Sequence, residues 1–264
     1  MYNGLTIVSK IAPIAIKAGE IMLSVSGDIR VKNKLNLHDV VTEYDSRVQE
    51  FLINELKQLF PLAEFVGEEE GVGKGIKVNL GEVFIIDPID GTANFVNSVG
   101  LSAISIAYLV NGKQVAGVVY NPYYNEMFYA ESGKGAFFNQ KPIHCGNLPL
   151  ERSFVAIGSC TYYEELYEWT KKSMLAVYDN CMDFRRLGSA ALELCYVASG
   201  RICAFYEAKL CTHDFGAGSL IATEAGAICS TIDGKVLPMD KQSSVLCANP
   251  ACYQRLKDIL LNVK

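Results

Sequence analysis

The chain has 264 residues, 50% hydrophobic and 20% charged, which excludes a disordered or low-complexity protein and supplies a core that needs no disulfide or structural metal. Its net charge is −5 and no basic cluster of five or more occurs, which excludes a chain built to coat nucleic acid and favours small molecules, or cations held by carboxylates, as partners. No window approaches the roughly 18 uninterrupted apolar residues of a membrane span.

In chain order, Ile7, Ile11, Ile14 and Met22 share one face of a first amphipathic helix over residues 5–24. Lys10, Lys17 and Glu20 interrupt its apolar stretch, so no targeting pattern is read there. A polar loop at 32–36 follows, then Thr42 and Asp45 open a second helix. Val48, Phe51, Leu52, Leu56, Leu59 and Phe60 form its buried face, and Pro61 stops it. Val83 to Ile86 reads as a buried strand ending in Asp87. Residues 102–109 and 114–120 flank Asn111-Gly112, a hairpin signal, and 126–130 with 135–138 form a second hairpin, so an antiparallel meander is expected. Beyond it come a strand at 153–158, helices at 163–177 and 189–198, a strand at 201–206, a helix from about 215 to 225, a strand at 244–248 and a final helix. One structural unit is expected, with an α+β lobe over about 1–145 and an α/β lobe over about 146–264. All nine cysteines lie from Cys145 onward, none in a C-x-x-C pair. They read as buried reduced thiols such as Cys195, Cys203 and Cys247, which fits a cytoplasmic protein.

The densest chemistry is Asp87-Pro88-Ile89-Asp90-Gly91-Thr92-Ala93-Asn94-Phe95. A strand delivers Asp87, Asp90 follows three residues on, and Thr92 starts the next helix, whose free N–H groups favour phosphate. Carboxylates beside phosphate require cations between them, and oxygen donors select a hard ion such as Mg²⁺. Alone, the paired Asp87 and Asp90 read as a strand, a turn and an N-cap. Gly67-Glu68-Glu69-Glu70-Gly71 alone reads as a solvated acidic loop, and Asp214 alone as the N-cap of a closely packed helix with small residues at 216–219.

Together these segments resemble the inositol monophosphatase family of Mg²⁺-dependent, lithium-sensitive phosphatases. The carriers are Gly67-Glu68-Glu69, the Asp87 to Phe95 block, Val41-Thr42-Glu43-Tyr44-Asp45, and Asp214-Phe215-Gly216-Ala217-Gly218 through Glu224-Ala225-Gly226-Ala227. Two positions depart from the family pattern: His213 stands where the family has Trp, and Ala227 where it has Gly. His213 reads either as a hydrogen-bond donor behind the metal ligands or as a tolerated surface histidine.

The resemblance implies a layered α-β-α-β-α sandwich, a homodimer, and hydrolysis of a small phosphate monoester, foremost inositol monophosphate. It implies two to three Mg²⁺ ions held by Glu68, Asp87, the Ile89 carbonyl, Asp90 and Asp214. It also implies phosphate on the Gly91 and Thr92 amides, water activation by Thr92 with Asp45 and Glu68, and substrate contacts from Asp90, Ala190 and Glu207. Read without the resemblance, Glu207 is a strand-end acid and Ala190 a helix-packing residue. Relatives acting on fructose 1,6-bisphosphate, histidinol phosphate or 3′-phosphoadenosine nucleotides are the alternatives, as is a regulatory binding protein that has lost catalysis. The complete acidic set argues against lost catalysis.

Overall fold

The computed structural model describes residues 4–25, 31–33, 40–69, 72–160 and 163–263. His38, Glu70, Gly71 and the end of the polar loop, 34–36, lie outside the described residues. The chain begins with helix α1 (Val8–Leu23), strands β1 (Val31–Asn33) and β2 (Val40–Thr42), and helix α2 (Glu43–Leu59). Residues 32 and 33, expected in a loop, therefore pair in an antiparallel ribbon with β2. Thr42 and Asp45 form a capping box that fixes the start of α2, and the helix ends two residues before Pro61.

Strands β3 (Glu64–Gly67) and β4 (Glu82–Asp90), the short helix α3 (Thr92–Val96), and strands β5 (Ala103–Val110), β6 (Lys113–Asn121), β7 (Glu126–Glu131), β8 (Ala136–Phe138) and β9 (Lys141–Ile143) come next. They build a seven-stranded sheet in simple order from β3 to β9. It is antiparallel except at β3, which pairs parallel to β4. Then follow β10 (Phe154–Ile157), α4 (Tyr167–Tyr178), β11 (Asp183–Arg185), α5 (Ala190–Ala198), β12 (Ala204–Leu210), α6 (Thr212–Glu224), β13 (Ile228–Ser230), β14 (Ser243–Ala248) and α7 (Pro250–Leu261). The second sheet has the order β11-β10-β12-β14-β13.

Three apolar clusters join the layers. Ile11, Ala15, Val48 and Leu52 pack α1 and α2 on Phe84, Ile86 and Val118 of the first sheet. Leu194, Cys195, Phe215 and Ile221 of α5 and α6 fill the space between the sheets. Val177, Leu256 and Leu260 of α4 and α7 cover the outer face of the second sheet against Val155 and Tyr206. The result is an α-β-α-β-α stack. Cys160, Cys195, Cys203, Cys247 and Cys252 are buried, while Cys145, Cys181, Cys211 and Cys229 are partly exposed. Among the described residues, no helix is long and apolar enough to cross a membrane.

Two elements differ from expectation in ways that matter for the site. β12 runs to Leu210 rather than ending at Tyr206, which carries Glu207 inside the strand. α6 begins at Thr212, three residues earlier than expected, with Cys211 as N-cap. Asp214 is therefore not the cap but the third helical residue, and its Oδ2 accepts the Cys211 N–H at 2.7 Å. Gly218 explains the close packing expected of this helix: a Cβ there would lie 2.8 Å from Leu194 Cβ of α5.

Candidate active site

The site forms where β3, β4, α5, β12 and α6 end against one another. β3 sets Gly67 opposite Ile86, so the acid after it, Glu68, arrives beside Asp87. In a regular strand, residues three apart face opposite sides. Between Asp87 and Asp90 the pairing with β5 slips, Asp87 opposing Ser105 and Asp90 opposing Ala103. This bulge at Pro88, a residue with no N–H to lose, turns both carboxylates to one side. Asp214 completes the group: carboxylate oxygens of Asp87, Asp90 and Asp214 lie within 4.8 Å of one another.

Burial and mutual repulsion both act on these carboxylates. Burial, then the charges of Glu68 and Asp90, keeps Asp87 well above the usual carboxylate range. Burial, then Asp90 and Glu68, does the same to Asp214. Burial pushes Asp90 up to about 6, opposed by hydrogen bonds from Ser189 and Ala191. Ser189 Oγ donates to Asp90 Oδ2, and the Ala191 N–H donates to the same oxygen at 2.8 Å. Clustered buried carboxylates that repel one another are a cation site chemically, and their all-oxygen donors, with the Ile89 carbonyl at the same cleft, fit Mg²⁺.

Thr92 Oγ1 lies 3.1 Å from both Asp45 Oδ1 and the Ile89 carbonyl, to either of which it donates. Asp45 Oδ2 accepts from the Thr42 N–H at 2.8 Å and the Thr42 hydroxyl at 2.6 Å, so its orientation is fixed. Burial raises Asp45 to about 6 against those Thr42 bonds. Gly91 precedes Thr92 with φ +85°, and a Cβ there would meet the Gly188 carbonyl at 2.9 Å. Only glycine satisfies both constraints.

Glu68, Asp87, Ile89, Asp90, Gly91, Thr92, Ala190, Glu207 and Asp214 all line one cleft of about 280 Å³. Of the expected site residues only Asp45 is absent from that lining, and it accepts a hydrogen bond from Thr92 of the lining. Glu207 is not a surface acid: it is 6% exposed, and its Oε1 accepts the Cys160 N–H at 3.3 Å. His213 is likewise drawn in toward the site and only partly exposed. Its side chain is 16% exposed, and Nε2 lies 3.7 Å from Asp214 Oδ1.

Sequence reasoning missed Arg186, Ser189 and Glu193. Arg186 lines the cleft, and its Nε donates to Ser159 Oγ at 3.1 Å. Glu193, fully buried on α5, accepts the Leu187 N–H at 2.8 Å through Oε1, and Oε2 has no hydrogen-bond partner. Only the Arg185-Arg186 pair before Gly188-Ser189 offered a signal for this loop.

Burial pushes Glu193 up to about 8, partly offset by the Arg186 charge. A raised folded-state value means that folding favours the protonated acid. Stability is therefore fully present below the unfolded-state value and declines as pH rises from there through about 8. Glu193→Gln should flatten that decline, raising stability at pH 9 relative to the parent by on the order of a few kcal/mol. Urea midpoints measured across the pH range check this, and parallel curves for parent and variant would refute it.

Comparison with known proteins decides the family. The model of the inositol monophosphatase family matches residues 6–262. The chain belongs to the inositol monophosphatase family. It is 33% identical over 244 residues to an inositol-1-monophosphatase of Bacillus subtilis, covering 91% of each chain. It is 36% identical over 221 residues to a fructose-1,6-bisphosphatase/inositol-1-monophosphatase of Thermotoga maritima, covering 83% of this chain and 82% of that one. The crystal structure of extragenic suppressor protein suhB from Bartonella henselae superposes with a TM-score of 0.89 at 31% identity, covering 97% and 98% of the two chains. Phosphatases of the inositol monophosphatase family act on small phosphorylated compounds and depend in general on Mg²⁺, which agrees with the carboxylate cluster.

Proposed function

We propose that this chain hydrolyses a phosphate monoester of a small polyol, inositol monophosphate first, with Mg²⁺ held by Glu68, Asp87, the Ile89 carbonyl, Asp90 and Asp214. The observation that carries the reading is the convergence of those donors with the Thr92–Asp45 pair in one small cleft. When bound, such ions neutralise phosphate charge and acidify the attacking water.

The chain's own groups supply the rest. The backbone N–H groups of Gly91 and Thr92 hold phosphate oxygens. The Thr92 hydroxyl, its hydrogen directed to Asp45 Oδ1, offers a lone pair to the incoming water and fixes its line of attack. Asp45 Oδ1 takes the proton that Thr92 Oγ1 passes on, and a carboxylate near 6 is suited to that exchange at neutral pH. Ser189 and the Ala191 N–H hold Asp90 in its ligating pose.

Glu207 and Ala190 face the alcohol part of the substrate. Burial holds the Glu207 carboxyl above the usual range and the Arg186 charge opposes that shift; in either protonation state the side chain offers an oxygen to a sugar hydroxyl. Hydrogen bonds to charged groups contribute about 1.5–3 kcal/mol, so Glu207→Gln should raise KM for inositol 1-phosphate roughly tenfold or more. The kcat/KM for an aryl phosphate should stay near the parent value, because that substrate offers no hydroxyl there. Equal losses on both substrates would remove Glu207 from the alcohol subsite. Fructose 1,6-bisphosphate is the second substrate to assay, on the similarity to the bifunctional Thermotoga maritima protein.

A further inference from the structure

Two side chains at the start of α6 have no part in that chemistry. Cys211 and His213 flank Thr212 on the first turn, next to Asp214. The Cys211 thiol, an imidazole nitrogen of His213 and a carboxylate oxygen of Asp214 all lie within 4.8 Å of one another. Zinc bonds of about 2.0–2.3 Å set tetrahedral donors roughly 3.3–3.8 Å apart. The His213 Nε2 to Asp214 Oδ1 separation of 3.7 Å already falls in that range. Asp214 Oδ2 is committed to the Cys211 N–H, which leaves Oδ1 facing the imidazole. A further side chain supports the thiol from outside: Gln242 Nε2 donates to Cys211 Sγ at 3.0 Å. Outer hydrogen bonds of this kind orient ligating groups in metal sites. All three donor residues are partly exposed, so an ion has a path in.

The donor types differ from those of the carboxylate cluster. Mg²⁺ takes oxygen ligands, whereas a thiolate with an imidazole selects a softer ion. We propose that Cys211, His213 and Asp214 form a second metal site, sharing Asp214 with the carboxylate cluster, that takes Zn²⁺ with water in the fourth position. Binding releases the Cys211 thiol proton to solvent and leaves a thiolate on the ion. His213 also lies within 4.8 Å of donors from Glu68 and Asp87, which puts this site on the rim of the carboxylate cluster. Because Asp214 serves both, Zn²⁺ competes with Mg²⁺ and inhibits. The binding claim stands on the donors alone; the inhibition claim rests on the phosphatase reading.

Co²⁺ titrated into the metal-stripped full chain tests the binding claim. The expected result is a near-ultraviolet thiolate-to-cobalt charge-transfer band, saturating at one equivalent and displaced by Zn²⁺. The band should vanish in Cys211→Ser, and calorimetric Zn²⁺ affinity should fall in His213→Asn by more than the roughly 10–100-fold that loss of an outer hydrogen-bond partner costs a metal site, with circular dichroism confirming that both variants are folded. In parallel, Zn²⁺ should inhibit Mg²⁺-supported phosphate release, with a midpoint roughly tenfold or more higher in Cys211→Ser. No band in the parent chain overturns the site. Zn²⁺ inhibition of equal midpoint in parent and both variants overturns the inhibition claim, assigning inhibitory zinc to the carboxylates. A cobalt band in a chain without phosphatase activity upholds the site and defeats the phosphatase reading instead.

Discussion

Asp90→Asn should abolish most turnover while leaving a folded protein. The substitution keeps the shape of the side chain and an oxygen able to accept from Ser189 and Ala191, the two groups that now hold Asp90 Oδ2. What it removes is one negative charge from the set formed with Asp87 and Asp214. Loss of a charged metal ligand forfeits several kcal/mol of transition-state stabilisation, on the order of a 10³-fold drop in kcat. Stability without metal should move the other way. Burial and the Asp90 charge both destabilise ionised Asp87 and Asp214, so neutralising Asp90 relieves repulsion in the metal-free chain. Kinetics at saturating Mg²⁺ and thermal melts in chelator read the two effects separately. Turnover at the parent rate would refute the ligand assignment.

Thr92→Ala should lower kcat by about 10²–10⁴-fold, the range of a positioned proton-transfer group, with Mg²⁺ affinity little changed. Its hydroxyl lies within hydrogen-bond reach of Asp45 and so links the cleft to that carboxylate. Removing it leaves Asp45 still fixed by Thr42 but out of reach of the water. Thr92→Ser keeps the hydroxyl and should recover most of the activity. A Ser variant as slow as the Ala variant would show that the methyl group and packing matter, and not the hydroxyl.

The candidate ligands were more legible in the sequence than the geometry that unites them. Asp87, Asp90 and Thr92 sit in one contiguous block, so their proximity is legible from spacing. Glu68 is different. Its place beside Asp87 depends on β3, four residues with only Phe65 buried, too short and too weakly patterned to read as a strand. The bulge at Pro88 is equally silent, because a buried strand with a proline near its end has many continuations. Asp214 reads as a helix N-cap by residue type, yet Cys211 takes that place and Asp214 closes the capping box from the third position. Arg186 and Glu193 were invisible for another reason. Their importance comes from where the 186–189 loop lands against β4, a contact across more than ninety residues of chain, as in the Ser189–Asp90 hydrogen bond. His213 was left open as surface or site, and only the turn of α6 toward the carboxylates decides it.

The central claim is that the carboxylate cluster works as a Mg²⁺-dependent phosphatase centre. The most direct measurement is inorganic phosphate released from inositol 1-phosphate by the full chain, first in excess chelator and then with Mg²⁺ restored. The account predicts negligible release in chelator and recovery of steady turnover on adding Mg²⁺. Undiminished turnover in chelator, or no release from inositol 1-phosphate or fructose 1,6-bisphosphate at saturating Mg²⁺, would contradict it.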